Sequence, residues 1–186
     1  GHFVVDNLTE LDRINEMAAE RNKVQPVILR LTPGIDPHTH AAVVTGRVDS
    51  KFGIAIETEQ ADEAVEYTLS KKNVRLCGFH CHIGSQIFDI KPFCDAAKIM
   101  IKYISHVKEK FGYNISVLNL GGGFGVKYIE SQPELDYEEF IRLIAKYIHD
   151  EVNNSGINMP TIIMEPGRSI VADSGLTLYT VGGTKE

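Results

Sequence analysis

Two histidines close an apolar run in "VRLCGFHCHIGSQ". His80 and His82 stand two residues apart and are followed at once by a Gly-Ser pair ending in Ser85. At a strand end this spacing puts both imidazoles on one face, where they could ligate a metal or flank a flat ligand. "NLGGGFG" supplies Gly121, Gly122 and Gly123. Consecutive backbone N–H groups can cradle an anion, and missing side chains let the chain approach it closely. "EPGRSI" brings a carboxylate, Glu165, and a guanidinium, Arg168, whose fork of donors suits phosphate or carboxylate. Metal-assisted hydrolysis is one chemistry these residues allow, with His80, His82 and either Asp6 or Glu165 as ligands. A second H-x-H, His38 and His40, lies in a Pro/Gly-rich loop rather than at a strand end. The metal reading leaves the glycine loop unexplained.

These residues need elements to position them. Short apolar runs alternate with segments of helical period: "HFVVD", then "LTELDRINEMAAERN" with Leu8, Leu11, Ile14, Met17 and Ala18 at helical spacing, then "PVILRLT". A long loop over residues 33–54 exceeds the usual connection and reads as functional. The helical "TEQADEAVEYTLSKKN" places Ala61, Ala64, Val65 and Leu69 on one face, and the strand "VRLCGFHCH" follows. "KPFCDAAKIMIKYISHVKEKFG" has Pro92 in its first turn, as a helix start tolerates. The strand "ISVLNL", the helix "DYEEFIRLIAKYIHDEVNN", the strand "TIIME" and a last candidate strand in "LTLYTVGG" complete the chain.

Such alternation predicts an α/β fold with a parallel sheet, either doubly wound or a (β/α)8 barrel. A full barrel takes about 250 residues. The 186 residues here supply about five units, which predicts a partial barrel. By strict alternation Asp6, Arg30, His80 with His82, Asn119 and Glu165 share one face, with Leu76 beside the histidines. Val5, Leu29, Leu31, Phe79, Leu118, Leu120 and Met164 take the other, under the helices, with Cys77 and Cys81 also turned away from the histidines. Each strand thus ends in a polar group on a common face, where barrels and open sheets hold their sites. Burying so many polar groups is costly unless they are paired or bind something.

The composition is 43% hydrophobic and 24% charged, with a formal charge of -6 and a pI near 5.7. There is no basic stripe to suit nucleic acid and no apolar run of membrane-spanning length. Three cysteines, Cys77, Cys81 and Cys94, read as free thiols in a reducing, cytoplasmic compartment. Both ends read as cut. Phe124 and Tyr128 read as packing residues, and Lys51 as a surface or interface charge. His2, His106 and His149 read as having no constellation around them.

"GFHCHIGSQ", "LNLGGGFG" and "EPGRSIVADSG", in this order, resemble the diaminopimelate decarboxylases, members of the alanine-racemase-like, pyridoxal-phosphate-dependent decarboxylases. "LRLTPGIDPHTHAAVVTG" and "SKFGI" resemble the long loop of the same family. Gln86 and the "HTH" loop favour this branch over the ornithine and arginine branch. The resemblance covers nearly the whole chain. It implies a barrel domain over residues 1–181 that binds pyridoxal 5'-phosphate, with residues 182–186 leading into a C-terminal β-domain. It implies decarboxylation of meso-diaminopimelate to L-lysine, a small amino-acid substrate and a homodimer. A related decarboxylase of ornithine or arginine and a barrel without catalysis are the other expectations.

The resemblance also assigns roles. His82 stacks on the cofactor ring and Glu165 bonds its pyridine nitrogen, which makes these the two catalytic candidates. Ser85, Gly121, Gly122, Gly123 and the turn Pro166, Gly167 and Arg168 hold the phosphate and flank the ring. Arg168 also reaches a substrate carboxylate, Arg30 lies near the ring, and Asp6 with Asn119 support these groups from behind. No metal is implied. The family's cofactor-anchoring lysine and proton-donating cysteine fall on segments before and after these residues. No lysine of the chain falls inside a strand on the polar face. These 186 residues are therefore expected to be inactive alone.

Overall fold

The computed structural model describes residues 1–35 and 52–183. His38, His40 and Lys51 lie outside these described residues, as does most of the long loop. The elements run in the order β1 (Phe3–Val5), α1 (Leu8–Glu20), β2 (Gln25–Thr32), β3 (Ile54–Ala55), α2 (Gln60–Ser70) and β4 (Val74–His80). They continue with α3 (Lys91–Phe111), β5 (Val117–Asn119), α4 (Tyr137–Ser155), β6 (Thr161–Ile163) and α5 (Gly167–Val171).

Helix ends are written in local chemistry. Asn7 caps α1 by accepting the Glu10 N–H at 3.0 Å, and Asp136 caps α4 by accepting the Glu139 N–H at 3.0 Å. Helices α3 and α4 stop at Gly112 (φ 63°) and Gly156 (φ 69°), in the left-handed conformation that glycine adopts at little cost. In α4, Phe140, Ile144, Ile148 and Val152 recur every fourth residue and are all buried. In α1 the buried residues are Leu11 and Ala18, while Leu8 and Met17 are exposed, contrary to the expected face. Met17 is six residues from Leu11, about 120° round the helix at 100° per residue, and so turns away.

All strand pairs are parallel, and the main sheet runs β1-β2-β4-β5-β6, with β3 paired to the end of β2. Apart from β3, neighbours in space are neighbours in sequence, and the order does not reverse. A doubly wound sheet reverses its strand order and carries helices on both faces. Here the large hydrophobic core lies on one face only. It joins Leu29, Leu31, Phe79, Cys81 and Leu118 of the sheet side to Leu11, Val65, Met100, Ile104 and Ile144 of the helices. The opposite face buries a small cluster, Ile28, Cys77 and Val117, with Ile163 packed against it. This is the arc of a (β/α) barrel, helices outside and a thin apolar layer within.

The inner layer corrects two expectations. Leu76 lies with the helices and Cys77 faces inward, the reverse of strict alternation along β4. The cause is a bulge: Val27 pairs with Leu76, but the next residue, Ile28, pairs with Gly78. One extra residue in β4 shifts the alternation by one, so His80 still points inward while residues before the bulge swap faces. Gly78 is required there, since a Cβ would meet the Val117 carbonyl oxygen at 2.1 Å. The last expected strand does not form. Residues 176–183 carry no regular structure, and Leu176, Leu178, Tyr179 and Val181 are exposed. Among the described residues no helix is long and apolar enough to cross a membrane.

Candidate functional site

Above the apolar inner layer the parallel register lines up a polar one. Arg30 pairs with His80, and His80 with Asn119, on adjacent strands. Asn119 pairs with Ile163, so Glu165, two residues on, continues the same face past the end of β6. The Asn119 Nδ2 donates to Glu165 Oε1 at 2.8 Å, and the Asn119 Oδ1 accepts the Gly121 N–H at 2.9 Å. His80 is buried, with its Nε2 3.6 Å from Glu165 Oε2. Burial, reinforced by the Arg30 charge and only partly opposed by Glu165, lowers its pKa to about 4. His80 is therefore a neutral imidazole at pH 7.

Two clefts open over this layer and share His82 and Glu165. The first, about 570 Å³, lies toward β1 and holds Asp6, Arg30, Phe52 and the edge of His80. Asp6 faces Arg30 at 3.6 Å and accepts the Gly53 N–H at 2.9 Å, and the Arg30 guanidinium lies 4.7 Å from the Phe52 ring centre. Arg30 is thus fixed by an ion pair and a cation–π contact. The second cleft, about 370 Å³, is lined by Ser85, Gly123, Pro166, Gly167, Arg168 and Ser169, with Phe124 beneath. Among the described residues Arg168 has no acidic partner. His82 accepts the Gly122 N–H on Nδ1 at 3.3 Å, which assigns the ring proton to Nε2. Burial, with the Arg30 charge, lowers its pKa and keeps it neutral.

The second cleft brings together His82, Ser85, Gly123, Glu165, Pro166, Gly167 and Arg168. Arg30 stands in the neighbouring cleft. Gly121 and Gly122 line neither cleft; both are buried behind, and their N–H groups go to Asn119 and His82 rather than outward. A Cβ on Gly122 would lie 2.0 Å from the Glu165 carbonyl oxygen, and one on Gly121 2.6 Å from that of Cys81. Glycine is needed at these positions for packing between loops. Phe124 is buried, stacked on Phe93 at 5.0 Å and edge-on to Phe140, whereas Tyr128 is exposed.

Other residues escaped the sequence reading. The expectation for His106 is corrected: its Nε2 lies 2.8 Å from Asp62 Oδ2, to which Lys110 also donates (2.7 Å), while the Tyr103 hydroxyl donates to Asp62 Oδ1 at 2.8 Å. Asp62 is 44 residues from His106, and only the i, i+3 and i, i+4 relations among Tyr103, His106 and Lys110 could have signalled a shared face. Gln86 bonds both backbone groups of Val126. Cys81 is wholly buried, which pushes its thiol up to about 12 and leaves it inert. Among the described residues no three His, Cys, Asp or Glu side chains gather as a metal would require.

The chemistry of the second cleft is specific: a carboxylate fixed by an amide, a neutral imidazole on the wall, and a guanidinium with hydroxyls beside it. The chain is 41% identical over all its residues to the diaminopimelate decarboxylase of Bacillus methanolicus and 43% to that of Staphylococcus aureus (strain COL). It spans 43% and 42% of the lengths of those two relatives. In structure it resembles the diaminopimelate decarboxylase of M. jannaschii in complex with L-lysine, with a TM-score of 0.80 and 34% identity over 91% of this chain and 38% of that one. The profile of the pyridoxal binding domain of pyridoxal-dependent decarboxylases matches residues 1–172, and the chain belongs to that family.

Proposed function

We propose that the protein carrying this chain is a pyridoxal-phosphate-dependent carboxy-lyase that converts meso-diaminopimelate to L-lysine. The observation that carries the reading is the Asn119-held Glu165 carboxylate on the same cleft as His82, Ser85 and Arg168. The donor set fits the cofactor's two unlike ends. A carboxylate suits a protonated ring nitrogen, whereas hydroxyls and a guanidinium suit a phosphate dianion. When bound, the cofactor supplies an electron sink for the carbanion left as CO2 departs.

The chain's own residues do the rest. Glu165 holds a proton at the ring nitrogen, since the nearby negative charge raises that nitrogen's pKa. Asn119 keeps the carboxylate oriented by donating to it. His82, neutral and pinned through Nδ1, offers a flat face of fixed tilt without adding a positive charge beside the cationic ring. Ser85, Gly123 and Arg168 take the phosphate, and Arg30, held by Asp6 and Phe52, adds positive potential on the far side of Glu165. Arg168 is also available to a substrate carboxylate.

Residues 1–181 would then form part of the barrel domain, with 182–186 leading into a β-domain, in a cytoplasmic homodimer. The relatives named diaminopimelate decarboxylase support the substrate, and the free thiols Cys77, Cys81 and Cys94 suit a reducing compartment. The test is CO2 release by the intact protein from meso-diaminopimelate, L-ornithine and L-arginine in parallel. Turnover of the first alone is expected, with most of it lost in Glu165→Ala. Preference for ornithine or arginine would overturn the substrate.

A further inference from the structure

Gln86 has φ 58°, a left-handed backbone that a residue with a long side chain rarely adopts. Such a conformation is strained and persists where the surroundings over-determine it. The surroundings here are two hydrogen bonds from its own side chain. The Gln86 Nε2 donates to the Val126 carbonyl at 2.9 Å, and Gln86 Oε1 accepts the Val126 N–H at 3.0 Å. The carboxamide thus behaves as one more peptide group paired to the loop after β5. Next to it, Ile87 donates to the Gly123 carbonyl at 3.0 Å and accepts the Gly125 N–H at 2.9 Å. Four hydrogen bonds in a row therefore tie the loop after β4 to the glycine loop, and the side-chain pair ends the row.

The consequence lies one residue away. Ser85 precedes Gln86, Gly123 faces Gly84 so closely that a Cβ on it would lie 2.2 Å from the Gly84 carbonyl oxygen, and Ser85 and Gly123 both line the second cleft. We infer that Gln86, which touches no ligand, is a positioning residue that sets the spacing between Ser85 and Gly123 at the phosphate end of the cleft. The inference rests on the reading of that end given above. It accounts for a glutamine where backbone geometry alone would select glycine.

The test uses the intact protein stripped of cofactor, with dissociation constants for pyridoxal phosphate and for pyridoxal measured by equilibrium dialysis. Two variants are compared with the parent. Gln86→Gly relaxes the backbone and removes the clamp. Gln86→Asn tolerates the left-handed backbone but is one methylene too short to span both bonds. Losing two hydrogen bonds predicts about tenfold weaker binding of pyridoxal phosphate. Pyridoxal, which lacks the phosphate, should bind all three forms alike. A parent that does not prefer the phosphorylated form would overturn the phosphate-end reading and this inference with it. A parent that does prefer it, with variants that keep the same preference, would overturn the role of Gln86 alone. Failure of both variants to fold, seen by circular dichroism, would make Gln86 a structural residue and likewise overturn the positioning role.

Discussion

One carboxamide joins the end of β5 to the second residue past β6: Asn119 donates to Glu165 at 2.8 Å and accepts from the Gly121 N–H at 2.9 Å. A carboxylate or a hydrocarbon cannot do both. Asn119→Leu removes the donor and leaves Glu165 without its fixed partner. Asn119→Asp keeps the acceptor for Gly121 but sets a second negative charge against Glu165. The expected result is a fall in kcat/KM of at least about tenfold for each, as loss of a charge-assisted hydrogen bond implies. Unchanged rates in both would remove Asn119 from the site.

A second expectation concerns pH. Burial lowers the His80 pKa to about 4, below the value near 6.5 of an unfolded histidine. Between these values the unfolded chain binds a proton that the folded one refuses, so stability falls as pH drops from about 6.5 to about 4. His82, also lowered by burial, acts in the same direction. Urea denaturation of the intact protein at several pH values should show this slope, a few kcal/mol at most. His80→Asn should flatten part of it, and an equal slope in the variant would refute the assignment.

Asp62 works in a lower window. Burial would raise its pKa, but hydrogen bonds from Lys110, His106 and Tyr103 outweigh burial and hold it at about 2. Its contribution is complete above the ordinary carboxylate range and lost as pH falls toward 2. With Lys110 and His106 half exposed, screening leaves about 1 kcal/mol. Asp62→Asn should lower stability by that much at pH 7 and by little at pH 2, measured by urea titration.

These contacts show where the sequence was sufficient. The polar face was legible because a parallel strand alternates strictly, and the groups at Arg30, His80, Asn119 and Glu165 each fell on the inward phase. It misplaced Leu76 and Cys77 because a bulge has no marker stronger than a glycine, and Gly78 sits next to a close approach that only the neighbouring strand reveals. It could not separate two uses of the glycine triplet, because glycine serves ligand approach and loop packing equally well: Gly123 lines the second cleft, whereas Gly121 and Gly122 are buried behind it. The Asp62 cluster joins α2 to α3 across forty residues or more, beyond the reach of any local pattern.

The glycines themselves give a paired prediction. At Gly122 a methyl group would sit 2.0 Å from the backbone oxygen of Glu165, which cannot move without breaking the turn. At Gly167 nothing lies within 4 Å. Gly122→Ala should cost about 3 kcal/mol or prevent folding, whereas Gly167→Ala should change stability by no more than about 0.5 kcal/mol. Thermal denaturation of both variants decides it, and equal stability would contradict the packing account.

The last prediction concerns the amine that pyridoxal-phosphate chemistry needs. Catalysis of this class begins from a lysine placed to bond the cofactor covalently. Among the described residues no lysine lines either cleft. Lys71 is committed to Asp12 at 2.6 Å, Lys108 donates to the Gly156 carbonyl, and Lys110 is held by Asp62. Lys91, Lys98, Lys102 and Lys146 belong to helices on the outer side of the sheet. Lys127, in a loop, lies 3.6 Å from Glu130. These 186 residues expressed alone, with pyridoxal phosphate added, should therefore release no more CO2 from meso-diaminopimelate than free cofactor does. Turnover well above that background would show that a lysine of this stretch reaches the cleft. If the background holds, the intact protein should be active under the same conditions, and a single lysine outside these residues, replaced by alanine, should abolish that activity.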